Sequence, residues 1–187
     1  MQVQARQGDT LSYYSRLFSI PLPLLLDSNP GIDAAKLQPG VTVNIPGYRL
    51  TPYKAEKGET FWQIACKKNV RLDALLLLNK EISAGQLQEG DMLHIPERIT
   101  EPLAKRAVPY DFSVLYADLK ELKSAYPFLR IQTIGRSVLG KPLYEIRIGR
   151  GSETIHFNAS FHANEWITSA ILMDLLNTYL LGLTNMT

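Results

Sequence analysis

With one cysteine, Cys66, the chain cannot close a disulfide on itself. Cys66 lies in a helical pattern, Phe61-Trp62-Gln63-Ile64-Ala65-Cys66, with no histidine close in sequence. It reads as a small buried filler rather than a metal ligand or a nucleophile. Neither sign of charge dominates: 20 Lys and Arg against 18 Asp and Glu leave a net +2. No basic run is interleaved with aromatics, so nucleic acid is not an expected partner. The opening Met1-Gln2-Val3-Gln4-Ala5-Arg6 has no apolar stretch of the kind that makes a secretory signal visible. No segment reads as a membrane span. The most apolar helix expected, from about Trp166 to Leu181, is short and contains Thr168, Ser169, Asp174 and Asn177. The apolar and charged fractions, 45% and 20%, are those of an ordinary soluble globular chain.

What the chain does have is a repeat. Gly8-Asp9-Thr10-Leu11 returns as Gly58-Glu59-Thr60-Phe61, 50 positions later. The same shift carries Leu25 to Leu75, Asn29 to Asn79, Ile32 to Ile82, Gly40 to Gly90, and Ile45-Pro46 to Ile95-Pro96, with no gap. Two copies of one small domain are expected at 2–47 and 51–97. In each, a short strand (Val3 to Arg6; Tyr53 to Glu56) meets a turn whose Thr caps the first helix. A second, Leu-rich helix ends near Asn29 or Asn79. The closing strand, Val41–Ile45 or Met92–Ile95, is stopped by Pro46 or Pro96, which suits an edge. A βααβ unit this small has a marginal core, which accounts for its leucine content.

These residues resemble the lysin motif, a glycan-binding module. The resemblance implies a shallow groove for N-acetylglucosamine-containing polymers such as peptidoglycan. In the first copy that groove would be lined by Gly8, Asp9, Thr10, Asn29, Pro30, Gly31 and Ile32. In the second it would be lined by Gly58, Glu59, Thr60, Asn79, Lys80, Glu81 and Ile82. The first copy departs from the pattern, with Ile20-Pro21-Leu22-Pro23 between its helices and Ser12-Tyr13-Tyr14 where the second has Trp62-Gln63-Ile64-Ala65. A groove that no longer binds, leaving the copies as a spacer, is the other reading.

Residues 98–109 carry Pro102, Lys105, Arg106 and Pro109 without periodicity and read as a linker. Asp111 then caps a helix whose Phe112, Leu115, Leu119 and Leu122 form a buried stripe ended by Pro127. Strands are expected at Leu129–Gly135, Leu143–Gly149 and Thr154–Ser160. His156 falls in the third and is taken as structural; His94, in a closing strand, is taken as solvated or packed. Where strand gives way to helix stands Phe161-His162-Ala163-Asn164-Glu165-Trp166. Imidazole nitrogen and carboxylate oxygen are both ordinary zinc ligands, but a catalytic zinc needs three protein ligands. By itself His-x-x-Glu is a weak signal.

Its surroundings strengthen it. Ile134-Gly135-Arg136-Ser137-Val138-Leu139-Gly140-Lys141-Pro142-Leu143-Tyr144-Glu145-Ile146-Arg147 together with Asn158 to Thr168 resembles the N-terminal end of zinc carboxypeptidase catalytic domains. The His-Ala-Asn-Glu-Trp form looks most like the bacterial branch cutting the γ-D-glutamyl–diamino acid bond of peptidoglycan stem peptides. The resemblance implies Zn2+ held by His162 and Glu165, with Asn164 and Trp166 shaping the turn. The family's second zinc histidine, its substrate-binding Arg and its catalytic Glu would fall beyond Thr187, so no catalytic residue is placed. The expected fold class is α+β to α/β: two βααβ modules, then at 110–187 the start of a mixed-sheet α/β peptidase domain. The expected protein is a wall-binding metallopeptidase, inactive as these 187 residues alone. Its place would be the cell wall or a sporulating cell. The alternative is a non-catalytic glycan-binding protein.

Overall fold

A computed structural model describes residues 1–83, 85–103, 109–162 and 164–185. Lys105 and Arg106 of the expected linker, Ala163 of the zinc motif and Thr187 lie outside the described residues. The chain forms two compact units, Met1–Ile99 and Thr100–Met186.

In the first unit, β1 (Gln2–Gln4) pairs antiparallel with β2 (Thr42–Asn44), Val3 opposite Val43. Between them run α1 (Leu11–Phe18) and α2 (Leu22–Ser28). The second copy repeats the order with β3 (Tyr48–Lys54), α3 (Phe61–Lys67), α4 (Leu72–Leu78) and β4 (Met92–Arg98). Helix starts follow the sequence closely. Thr10 accepts a hydrogen bond from the Tyr13 backbone, and Thr60 and Gln63 form a reciprocal capping box. Gly8 and Gly58 sit at φ +86° and +77°, left-handed values at which any other residue is strained. They let the chain turn so that the amide of residue 9 or 59 reaches the carbonyl of residue 6 or 56, 3.2 Å away in both copies.

Asn29 and Asn79 tie each second helix to its closing strand. The Asn29 side chain donates to the carbonyls of Leu25 and Asn44 and accepts from the Asn44 amide. Asn79 does the same with Leu75 and His94, at distances matching to 0.1 Å. The 50-residue repeat is therefore kept down to individual hydrogen bonds.

Three expectations need correction here. Cys66 is exposed: α3 turns Phe61, Ile64 and Ala65 inward, which leaves Cys66 on the solvent side. Pro96 does not stop its strand. β4 continues to Arg98, with Pro96 opposite Leu50, because in a two-stranded sheet both strands are edges and tolerate a missing donor. Arg98, expected in the linker, closes β4, and Ile99 is buried and bonds to the Gly47 carbonyl.

The two copies are fused rather than strung. Ala74 and Leu77 of α4 belong to the first copy's core, beside Val3, Leu11, Leu25 and Val43. The second copy keeps a smaller core of its own around Phe61, Ile64, Leu75 and Leu93. Tyr48 and Arg98 both donate to the Phe18 carbonyl, and the Arg98 guanidinium lies over the Tyr48 ring.

The second unit holds α5 (Phe112–Ala125), the antiparallel hairpin β5 (Arg130–Arg136) and β6 (Pro142–Arg147), and α6 (Trp166–Asn185). Asp111 caps α5 as expected, accepting from the Ser113 and Val114 amides. Thr154–Ser160 is not a strand. Among the described residues none pairs with it, and Ile155 and Phe157 stand exposed along it. His156, expected as a structural residue of that strand, is likewise exposed. Helix α6 is longer than expected, long and apolar enough by length and composition to cross a membrane. Its buried residues Ala170, Met173, Asn177, Leu180 and Thr184 fall at the three- and four-residue spacing of a core stripe, while Ile167, Ile171, Leu175 and Tyr179 stay exposed on another face. The described strands form only two-stranded antiparallel sheets, an α+β arrangement.

Candidate functional site

Two sites were expected, one in each unit. In the first unit, the groove residues divide into those whose side chains are engaged and those left open. The Asp9 carboxylate is buried and accepts from the Tyr14 hydroxyl at 2.5 Å, the Arg6 amide at 2.9 Å and the Arg6 guanidinium at 3.3 Å. Burial by itself would raise its pKa; donation from Tyr14 and Arg6 outweighs that and lowers it. In the second copy, Glu59 accepts from the Glu56 amide, the Tyr53 hydroxyl and Lys67, and its pKa is lowered, the Glu56 amide contributing most.

Thr10 and Thr60 are engaged as caps, and Asn29 and Asn79 as cross-ties. Ile32 and Ile82 lean on the two cores. These eight side chains thus shape the loops. Gly8, Pro30 and Gly31, and Gly58, Lys80 and Glu81, remain on the exposed surface. In the first copy the two loops are tied directly, through the Leu11 amide to Ala34 at 3.0 Å and the Leu37 amide to Asp9 at 3.3 Å. Trp62, in the first turn of α3, is 64% exposed beside Thr60.

In the second unit, the polar turn brings His162 and Glu165 together. His162 Nδ1 lies 2.9 Å from Glu165 Oε1, both side chains open to solvent. The turn is closed by the Glu165 amide bonding to the His162 carbonyl. It is pinned by Thr168 and Ser169, expected only as polar interruptions of the last helix, and by Ser160, expected to end the third strand. Ser160, in a left-handed conformation at φ 53°, donates its hydroxyl to the Glu165 carbonyl. Its amide donates to Thr168 Oγ1, and Ser169 lies 2.7 Å from its hydroxyl. The signal for them was the cluster of hydroxyls bracketing the motif on both sides. A pocket of about 260 Å3 opens beside His162 and Trp166, with Tyr110, Asp111 and Phe112 at the start of α5 on its other side.

The imidazole nitrogen and carboxylate oxygen bond to each other directly; as ligands at about 2.0–2.2 Å from a tetrahedral zinc they would stand about 3.4 Å apart, so a metal would take the place of this contact with a small separation of the two groups. Among the described residues no group of three or more His, Cys, Asp or Glu side chains comes together, so the donor set present fits two positions of such a site.

The two halves of this architecture correspond to two known families. Residues 3–46 and 53–96 match the LysM domain, and residues 115–184 match the zinc carboxypeptidase family. Over its full length the chain is 50% identical to gamma-D-glutamyl-L-diamino acid endopeptidase 1 of Lysinibacillus sphaericus, of which it spans 47%. Over 76 residues it is 41% identical to the uncharacterized protein YqgT of Bacillus subtilis (strain 168), covering 40% of this chain and 20% of that one. The spore cortex-lytic enzyme SleL of Bacillus megaterium QM B1551 gives a TM-score of 0.27 at 19% identity, covering 65% of this chain and 30% of that one. The zinc carboxypeptidase family implies zinc as the metal.

Proposed function

We propose that the chain provides the wall-binding part and the opening of the zinc site of a peptidoglycan peptidase acting on the γ-D-glutamyl–diamino acid bond. In this reading the fused repeats hold N-acetylglucosamine-containing glycan at the cell wall, through the exposed parts of the Gly8–Thr10, Pro30–Ile32, Gly58–Thr60 and Lys80–Ile82 loops. His162 and Glu165 hold Zn2+. The observation that carries the proposal is their convergence at 2.9 Å within the segment matching zinc carboxypeptidases. The identity across the whole chain to an endopeptidase of that name supports the substrate class.

When bound, zinc supplies Lewis-acid polarisation of the scissile carbonyl and a water of lowered pKa. The chain's own contribution is positional. Ser160, Thr168 and Ser169 fix the turn that aims both ligands, as outer-shell partners do in metal sites. The pocket beside His162 leaves room for a substrate group next to the metal position.

The absence of a third ligand among the described residues favours a second reading for these residues taken alone: glycan binding without hydrolysis. Equilibrium dialysis against zinc separates the possibilities. Weak zinc uptake, below one per chain and lost in His162→Ala, is expected. No γ-D-glutamyl tripeptide should be cleaved. Equal zinc uptake by His162→Ala would overturn the assignment, and cleavage would overturn the second reading.

A further inference from the structure

We infer that Asp73, in the second repeat, is a positioning residue for the Gly8–Thr10 turn of the first, so that the first glycan loop is complete only when both repeats are docked. That this turn meets glycan rests on the reading above; that Asp73 positions it does not.

The two repeats, otherwise alike, differ in what supports their glycine turns. Both copies place an acidic side chain under the glycine turn, Asp9 buried and Glu59 partly buried, and in both it accepts the backbone amide three residues earlier at 2.9 Å. What holds the acid from outside differs. In the second copy it is Lys67, whose ammonium reaches Glu59, Glu56 and the Tyr53 hydroxyl, each at 3.0 Å and all within that copy. The position equivalent to Lys67 in the first copy is Leu17, buried in the core. No cation can stand there.

The first copy uses Arg6 instead. Its Nε lies 3.3 Å from Asp9, and Nη2 donates to the Tyr13 hydroxyl at 3.0 Å. The far side of the same guanidinium makes a two-pronged bond to Asp73, at 2.8 Å and 3.1 Å. Two parallel N–H donors on one carboxylate fix the plane of a guanidinium, which a single contact does not. Asp73 is itself held in place, because the next residue, Ala74, and then Leu77 are buried in the first copy's core. The order of support thus runs from α4 through Asp73 and Arg6 to Asp9 and the turn. Among the described residues the second turn has no counterpart to this dependence.

Native-state hydrogen exchange on the full chain tests the assignment. Asp73→Leu should speed exchange at the Asp9 and Leu11 amides about fivefold, the scale of a well-formed but partly exposed ion pair. Glu59 and Ile64 amides should change less than about twofold. Arg6→Leu, which leaves α4 untouched, should give the same pattern, and the double variant should add nothing further. Asp73→Glu should restore protection. Wild-type exchange at Asp9 and Leu11 in Asp73→Leu would overturn the proposal, and so would equal acceleration in both repeats. Titration of the 15N-labelled chain with an N-acetylglucosamine pentamer then reads the consequence. In Asp73→Leu the Gly8 amide should respond several-fold more weakly than in the wild type, with Gly58 unchanged. If neither glycine responds in the wild type, the glycan reading fails, while the exchange result still decides whether Asp73 positions the turn.

Discussion

The first unit closes its apolar surface and the second does not. Between Met1 and Ile99 the large apolar side chains that remain exposed are scattered, as on most proteins; Trp62, Met92 and Leu50 are the most open. Between Thr100 and Met186 they line up. Ile167, Ile171, Leu175 and Tyr179 recur every four residues along α6, each half exposed or more, and Ile155, Phe157 and Phe161 precede them. The same helix has a fully satisfied spacing of buried residues on its other side. Helical periodicity marks which faces of α6 are apolar, and only one of them is buried in this unit. A helix apolar around most of its circumference is made for two packed sides.

The largest test of that difference is a pair of truncations. Leu25 is wholly buried in the first unit, and Leu25→Ala should cost about 2–5 kcal/mol, the range for leucine cavities in packed cores. Ile171→Ala, on the open face of α6, should stay within about 0.5 kcal/mol. Urea unfolding of the two variants measures both. A large loss for Ile171→Ala would mean that the face is covered.

A second test concerns what pins the repeats. Asn79→Ala removes three hydrogen bonds and leaves the His94 amide and carbonyl without their partner at the helix end. About 2–3 kcal/mol should be lost, more than the net worth of one hydrogen bond because backbone groups are left unmet. Asn29→Ala should cost a similar amount, since its bonds match those of Asn79. A twofold difference between them would show that the shared core supports one copy over the other.

Much of this was legible beforehand, and what was missed has a common cause. The gapless shift of 50, the Thr and Asp caps, and the Asn residues ending the second helices are local rules, and each is met by the structure. The docking of α4 on the first copy was not legible. Ala74 and Leu77 carry the same pattern as Leu75, and no sequence period says which core a leucine enters. The strand expected at 154–160 failed for a related reason: alternation proposes a strand, but only a neighbouring strand can satisfy its backbone. At the candidate zinc turn, His162 and Glu165 could be named from spacing and resemblance. The hydroxyls of Ser160, Thr168 and Ser169 bracket the motif in sequence, but their roles show only once the folded turn brings them to its backbone and to each other.

A smaller effect of opposite sign is expected in α6. The Asn177 side chain is fully buried, and neither of its amide atoms has a hydrogen-bond partner among the described residues. Burying an unmet amide is unfavourable, so Asn177→Leu should stabilise the second unit by about 1 kcal/mol. Thermal unfolding monitored at Trp166 would show it. Destabilisation instead would mean that the amide has a partner, such as a bound water, which the substitution removes.

The smallest effect expected is electrostatic, and it lies in the first unit. Glu97 on β4 receives two donors from Arg49 on β3, both at 3.0 Å, and one from Thr51 at 2.5 Å. Arg49 contributes most, and with Thr51 it holds the Glu97 carboxyl down to about 2. An unfolded glutamate titrates near 4.3. Because the folded value is the lower one, this pair's contribution is fully present above about pH 4.3 and is lost as pH falls towards 2. Both side chains are roughly half exposed, at 60% and 45%, so solvent and salt screen the pair. Its worth should be below about 1 kcal/mol whatever the size of the shift. Arg49→Leu should therefore lower stability slightly at pH 7 and flatten the loss between pH 4.3 and 2. At 1 M salt the variant and the wild type should converge, the Debye length there being about 3 Å. A difference that persists at high salt and at pH 2 would assign the role of Arg49 to packing of its stem along the β3–β4 ribbon rather than to its charge.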